Sequence, residues 1–326
     1  MSGLLRVASL KALRSHSDLL LFQAGNWLSG QILFAVFSAF AVHGALAHIA
    51  FVETASAFFG TTFATIAFRI GFESAMKTRV LVAARFAVLF AMALAAFFDG
   101  IEWKWVIGVA PSLLTPAHFP VVFGAKKRAV VLLVGARLLA CAACVGFALS
   151  SSMAFAVYFA PGIAYALSLY LFHFGDWARQ PSDGRQTRGV STGGSALDVF
   201  LFLPVASAGL FFMQASIVAN IAAASPALAV VERLVRSGYS LAYPYLMRVT
   251  RFDYLLRKTV GLLAFALPAA AIAIRVAPWV VVGIWVPVSI DLVTTNLFRL
   301  SQRRLRLLAV WVILCAALWE GAARFH

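Results

Sequence analysis

Six charged residues stand within otherwise apolar runs, and their types and spacing limit what they can do. Glu232 and Arg236 are four residues apart, the separation at which two side chains meet on one face of a helix, and Arg233 lies between them. Arg137 and Arg85 lie inside two other apolar runs, and Glu53 lies near the start of a third. A guanidinium in hydrocarbon is costly, so at such depth it either pairs with an acid or lines a polar pathway. Its planar fork can hold two oxygens of a phosphate or carboxylate at once. The chemistry open to Arg85, Arg137, Arg233 and Arg236 is therefore recognition of an anion. The alternatives are structural ion pairing and, for Arg85, snorkelling to the membrane interface. Glu53 and Glu232 stand near helix starts, where the positive end of the helix dipole favours a carboxylate. Gating or proton coupling is the functional role open to them, and plain helix-start placement is the alternative.

Other chemistries find little support. There is no Walker A pattern, no His-Glu-x-x-His, no Gly-x-Ser-x-Gly, and no acidic cluster suited to holding Mg²⁺ on a diphosphate. The 12 carboxylates are scattered, so no metal site and no cofactor is expected. Cys141 and Cys144 have dithiol spacing, but they fall in an apolar run where a thiolate is poorly solvated, and packing is the expected role. The six histidines include no pair at helical metal-ligand spacing.

The elements that must position these charges are membrane spans. The chain has 326 residues, 63% of them hydrophobic and only 12% charged, against about 25% charged in a soluble domain. Mean hydropathy is +0.92, and the apolar runs match the roughly 20 helical residues needed to cross a bilayer. Eleven spans are expected, near 19–43, 48–69, 80–98, 103–123, 129–150, 152–174, 197–222, 226–248, 259–276, 279–298 and 305–321. The first follows Arg6, Lys11 and Arg14 and is too long for a cleaved signal segment, so it is read as an uncleaved span. Residues 175–196 are polar and rich in Gly and Arg, which marks a cytoplasmic linker. The expected division is a six-helix lobe over 1–174, the linker, and a five-helix lobe over 197–326.

The formal charge of +15 encodes topology in such a chain and does not point to nucleic acid. Most of the 27 Lys and Arg alternate onto one face of the expected spans, the face shared with the N-terminus, which is therefore expected to be cytoplasmic. Trp103, Trp105, Trp279 and Trp319 fall near span ends, as interfacial anchors do.

An internal repeat links the two halves. Val52-Glu53 followed by Arg69 is matched by Val231-Glu232 followed by Arg248, with equal internal spacing. Trp105 through Gly108 to Pro111 is echoed by Trp279 through Gly283 to Pro287, and Lys126-Lys127-Arg128 by Arg303-Arg304-Leu305-Arg306, at nearly the same offset. Because the offset covers an even number of spans, the copies share one orientation and are expected to be pseudo-symmetric about an axis along the membrane normal, around a central cavity. The counterpart of the sixth span would begin beyond His326, which gives the second lobe its expected five helices.

Two segments carry a family resemblance. The stretch Leu114-Thr115-Pro116-Ala117-His118-Phe119-Pro120, leading through Phe123-Gly124 and Lys126-Lys127-Arg128 into the run with Arg137, resembles the polysaccharide transporter branch of the multidrug, oligosaccharidyl-lipid and polysaccharide exporter superfamily. The segment from Phe211 to Gln214, through Ser225-Pro226 and Glu232 to Tyr243-Pro244, is similar to the start of that family's second lobe. The resemblance implies two lobes that open alternately to either side and carry lipid-linked saccharides between leaflets. It also implies that Arg137, Arg233, Arg236 and Arg85 meet the anionic head group. The chain departs from the family in supporting eleven spans where at least twelve are usual.

The expectation is thus an all-α, polytopic protein of the bacterial inner membrane, not an enzyme, which translocates an anionic lipid-linked oligosaccharide or polysaccharide precursor. Its expected partners are the lipid bilayer, the lipid-linked saccharide and glycan-synthesis proteins. The rival readings are a small-metabolite carrier, a membrane-embedded glycosyl or acyl transferase using Asp99, Glu102 or His118, and a non-transporting subunit of a glycan-synthesis complex.

Overall fold

The computed structural model describes residues 24–70, 75–98, 102–116, 127–178, 196–246 and 306–314, and these contain helices and no strand. In chain order they are α1 (24–40), α2 (His43–Ile70), α3 (Ala75–Phe98), α4 (Trp103–Leu114), α5 (Lys127–Gly146), α6 (Ser151–Ala178), α7 (Ala196–Ala224), α8 (Pro226–Leu246) and α9 (306–314). A helix satisfies its own backbone hydrogen bonds, which suits long runs of Ala, Leu, Val and Phe in a medium without water. Among the described residues, four stretches are long and apolar enough to cross a membrane: Arg79–Phe98, Lys127–Gly146, Ser151–His173 and Pro204–Ala224. Large apolar side chains on these helices face outward, among them Phe90, Phe98, Leu139 and Leu171. In water such a surface is a liability, whereas in lipid it is the ordinary exterior.

The expected second, third, fifth, sixth, seventh and eighth spans each coincide with a helix. The ninth and tenth lie outside the described residues, as do residues 179–195 of the expected linker and part of the eleventh span; residues 175–178 of that linker continue α6, and residue 196 begins α7. The expected two-lobe arrangement of eleven spans therefore extends beyond the residues the structure describes.

Helix α2 occupies the middle of the packing. Its largest interface is with α7, and it also packs against α4, α6 and α3. Ile49 and Val52 are fully buried with Phe34 and Phe37 of α1, Phe155 of α6 and Val218 of α7. Because neighbouring helices enclose it, α2 can carry Glu53, Thr54, Ser56 and Thr62 toward protein partners and away from lipid. Thr62 and Ser207 share a hydrogen bond of 3.1 Å between α2 and α7.

Two glycines set how closely α4 approaches its neighbours. A β-carbon at Gly108 would collide with Val52 of α2, and one at Gly162 of α6 would lie 2.8 Å from Pro111 Cβ. Small residues at helix crossings let backbones come together where apolar burial supplies no preference over lipid.

Helix α4 is shorter than the span expected there. It ends at Leu114, and Thr115 is extended with φ −64 and ψ 113. The cause is local, because Pro116 disfavours helical backbone at the residue before it. The freed carbonyls find side-chain donors: Arg85 Nη1 donates to the oxygens of Leu113 at 2.7 Å and Thr115 at 2.8 Å, and the Tyr170 hydroxyl donates to Leu114 O at 2.7 Å.

Candidate functional site

A cavity of about 380 Å³ opens between α1, α2, α4, α5, α6 and α8. Three of the sequence-predicted residues line it: Glu53, Arg137 and Arg233. Residues from distant parts of the chain meet here because α2 crosses the core next to both α4 and α6.

Glu53 of α2 and Arg233 of α8 form a two-pronged ion pair. Arg233 Nη2 donates to Glu53 Oε1 at 2.8 Å, and Arg233 Nη1 donates to Oε2. The Tyr158 hydroxyl of α6 donates to the same Oε2 at 2.8 Å. The Arg233 guanidinium also lies over the Phe34 ring, 4.6 Å from its centroid. Helix α1 holds the α8 backbone at this level, since Trp27 Nε1 and Gln31 Nε2 donate to Ser237 Oγ at 2.9 and 2.6 Å, and Ser237 Oγ donates to the carbonyl of Arg233. Two parallel bonds and a third donor are what a carboxylate needs when removed from water.

Arg137 is held differently. It stands about 15 Å along α5, near the middle of a helix that can span the membrane. Its Nη1 donates to Asn26 O, to Asn26 Oδ1 at 3.0 Å and to Ser29 Oγ at 2.8 Å, so its partners on α1 are neutral oxygens. Among the described residues it forms no ion pair, and its Nε and Nη2 have no hydrogen-bond partner. Gly30 makes room for it: a β-carbon there would lie 3.3 Å from Nη1 and 3.6 Å from Nη2. The guanidinium therefore rests against α1, anchored through Nη1, on the wall of the cavity.

The remaining wall carries hydroxyls. Ser56 of α2 and Ser112 of α4 share a 2.9 Å hydrogen bond, and Thr115 Oγ1 donates to Pro111 O at 2.6 Å. Ser56, Ser112 and Thr115 all line the cavity, next to the end of α4.

The other three sequence candidates lie elsewhere. Glu232 and Arg236 pair along α8, with Arg236 Nε donating to Glu232 Oε1 at 2.8 Å, as their four-residue spacing predicts. Glu232 is fully buried, and neither residue lines the cavity. Arg85 is almost completely buried, over the Phe63 ring, and caps α4 from outside the cavity. A cation at a helix C-terminus meets the negative end of the dipole, so that position favours it electrostatically as well. Cys141 and Cys144 are free thiols packed in the main apolar core. Asp99 and His118 lie outside the described residues, and Glu102 lies on the surface just before α4.

Asn26, an amide within the first apolar run, holds Arg137 through its carbonyl and side-chain oxygens. Sequence reasoning missed Ser29, Gly30, Tyr158 and Ser237. Small residues and a tyrosine within apolar helices carry no distinguishing pattern; only the helix packing shows which of them face a charge. Comparison of the chain with known protein families, with characterised proteins and with solved structures finds no match.

Proposed function

We propose that this chain is a membrane transporter that binds an anionic group of its cargo at Arg137, and that the cargo is a lipid-linked oligosaccharide or polysaccharide precursor. The single observation that carries the reading is the unmatched cation. Arg137 is half-buried among apolar helices, held by neutral oxygens, with two nitrogens of its fork left for a ligand. A cation partly removed from water and paired with no acid gains from an arriving anion.

Supporting features come from the surroundings. About 380 Å³ lies at the lower end of the 300–1,000 Å³ range of small-ligand cavities, which suits a head group with a sugar ring and not a whole polymer. Serine and threonine hydroxyls on the α2 and α4 walls offer hydrogen bonds to a polyol. The saccharide-lipid cargo is what the resemblance to the polysaccharide exporter branch implies; the anion chemistry comes from the cavity. In this reading the lobes rock to expose the cavity alternately, the lipid tails remain in the bilayer, and the site lies in the bacterial inner membrane. The Glu53–Arg233 pair joins helices from the two halves of the chain and is the contact such rocking would strain first.

Leaflet exposure of a labelled lipid-linked saccharide in proteoliposomes tests the proposal, with Arg137→Gln beside the wild type. Transfer by the wild type and its loss in the variant is the expected result. Wild-type protein that is folded yet no faster than empty liposomes would overturn the transport reading and move a membrane-embedded transferase or a scaffold subunit ahead.

A further inference from the structure

The charges facing the cavity also set the charge of what it takes. Among the described residues that line it, the ionisable groups of formal charge are Arg137, Arg233 and Glu53. Glu53 and Arg233 neutralise one another through two hydrogen bonds, and Glu232 and Arg236, four residues apart on α8, pair through one. Among the described lining residues one positive charge therefore remains, on Arg137.

From this balance we propose that the cavity selects cargo presenting a single negative charge at Arg137, a phosphodiester-linked sugar or a uronate, over a diphosphate-linked sugar. The inference rests on the transporter reading above and narrows its substrate class. A monoanion leaves the site neutral. A dianion leaves one negative charge without a partner near the Glu53 carboxylate, in a cavity where solvent screens it only in part. To neutralise the second charge, the ligand would have to draw Arg233 from Glu53, and Glu53 would then keep only the Tyr158 hydroxyl. Both routes oppose binding of the doubly charged head.

The geometry agrees with the charge count. Arg137 presents Nε and Nη2, a pair of donors that fits two oxygens of one phosphate or one carboxylate. The hydroxyls of Ser56, Ser112 and Thr115 stand on the α2 and α4 walls of the same cavity, where a sugar attached to that group would extend. The side chains of Ser56 and Ser112 are already bonded to each other, so a sugar hydroxyl enters an existing polar chain and meets no isolated dipole.

The test is equilibrium binding to the full chain in lipid nanodiscs, using three ligands: a short-chain polyprenyl phosphoglucose, the matching polyprenyl diphosphoglucose, and free glucuronate. Wild-type protein is expected to bind the phosphodiester roughly tenfold or more tightly than the diphosphate, reflecting the cost of an unpaired buried charge. Binding of glucuronate would show that the carboxylate of a free sugar suffices; binding of the lipid alone would place the selected charge in the lipid-linked head. Arg137→Gln is expected to weaken the preferred ligand by roughly 10- to 100-fold. Glu53→Gln releases Arg233, raises the cavity charge by one and is expected to reverse the preference toward the diphosphate. If Glu53→Gln fails to fold, Glu53→Gln/Arg233→Gln restores the single charge and must keep the wild-type preference. Equal or tighter binding of the diphosphate by wild type overturns this inference while leaving anion recognition standing. No binding of any of the three by folded protein overturns the transporter reading together with it.

Discussion

Glu53 and Arg233, from α2 and α8, grip each other through both carboxylate oxygens, and Tyr158 of α6 adds a third donor to the same carboxylate. The pair lines the cavity in which Arg137 stands without an acid, so the structure puts a cation that has a carboxylate partner and one held only by neutral oxygens in the same cavity. That contrast underlies both the proposed anion binding and the selection by charge. It also makes several residues testable.

Removing one member of the pair strands the other. Arg233→Gln is expected to lower stability by roughly 2–3 kcal/mol, below the value for a completely buried pair because the cavity admits some solvent to it. Glu53→Gln/Arg233→Gln should recover part of that loss, since neither charge is left alone. Thermal unfolding of the purified protein in one detergent, run as a double-mutant cycle, reads both; a strictly additive double variant would show that the two residues do not interact.

Tyr158→Phe removes a single donor and little volume. The expected loss is about 1–2 kcal/mol, as for a hydrogen bond to a charged group. In a Glu53→Gln background the same substitution should matter less. Unchanged Tm in the otherwise wild-type chain would mean that the phenol does not hold the carboxylate.

At Gly30 the expected effect is on ligand and not on fold. An added β-carbon meets the tip of the Arg137 side chain, which is long enough to move aside. Gly30→Ala should therefore weaken binding of the anionic ligand several-fold while Tm stays close to wild type. A large fall in Tm with intact binding would contradict the placement of Arg137 against α1.

Gly162→Ala presents the opposite case. Its β-carbon meets the Pro111 ring at 2.8 Å, and a ring within a helix cannot swing away. Forcing α4 from α6 is expected to cost roughly 1–3 kcal/mol, the usual range for an overpacked contact. Unfolding temperature checks this directly, and a neutral result would mean that the two helices separate freely.

Arg85 distinguishes capping from cargo contact. Arg85→Met leaves the carbonyls of Leu113 and Thr115 without their donor and should destabilise the fold by roughly 2–3 kcal/mol. Arg85→Lys keeps the cation near the α4 terminus and should recover part of the loss. If neither variant alters Tm while both weaken the anionic ligand, the capping role is wrong and the residue belongs with Arg137.

Much of this was legible before any coordinates. The apolar runs, with charge reduced to 12%, determine a helical membrane chain, because a span must satisfy its own backbone and bury few ions. The Glu232–Arg236 pairing follows from helical periodicity alone, and the two residues do meet. The stop after Leu114 escapes the sequence reading: the expected fourth span follows the apolar run to 123, past the Pro116 that ends the helix.

Which charges lack a partner was decided only by the tertiary structure. Glu53 and Arg233 are remote in sequence, and no local period connects them; they meet because α1 holds α8 beside α2. Arg85 and Arg137 look alike in the sequence, each a lone arginine in an apolar run. Packing gives the first the open end of α4 and the second a cavity with neutral oxygens on one side. The physical reason is that a buried charge is defined by everything within a few ångströms of it, and in a helical bundle most of those neighbours come from other helices.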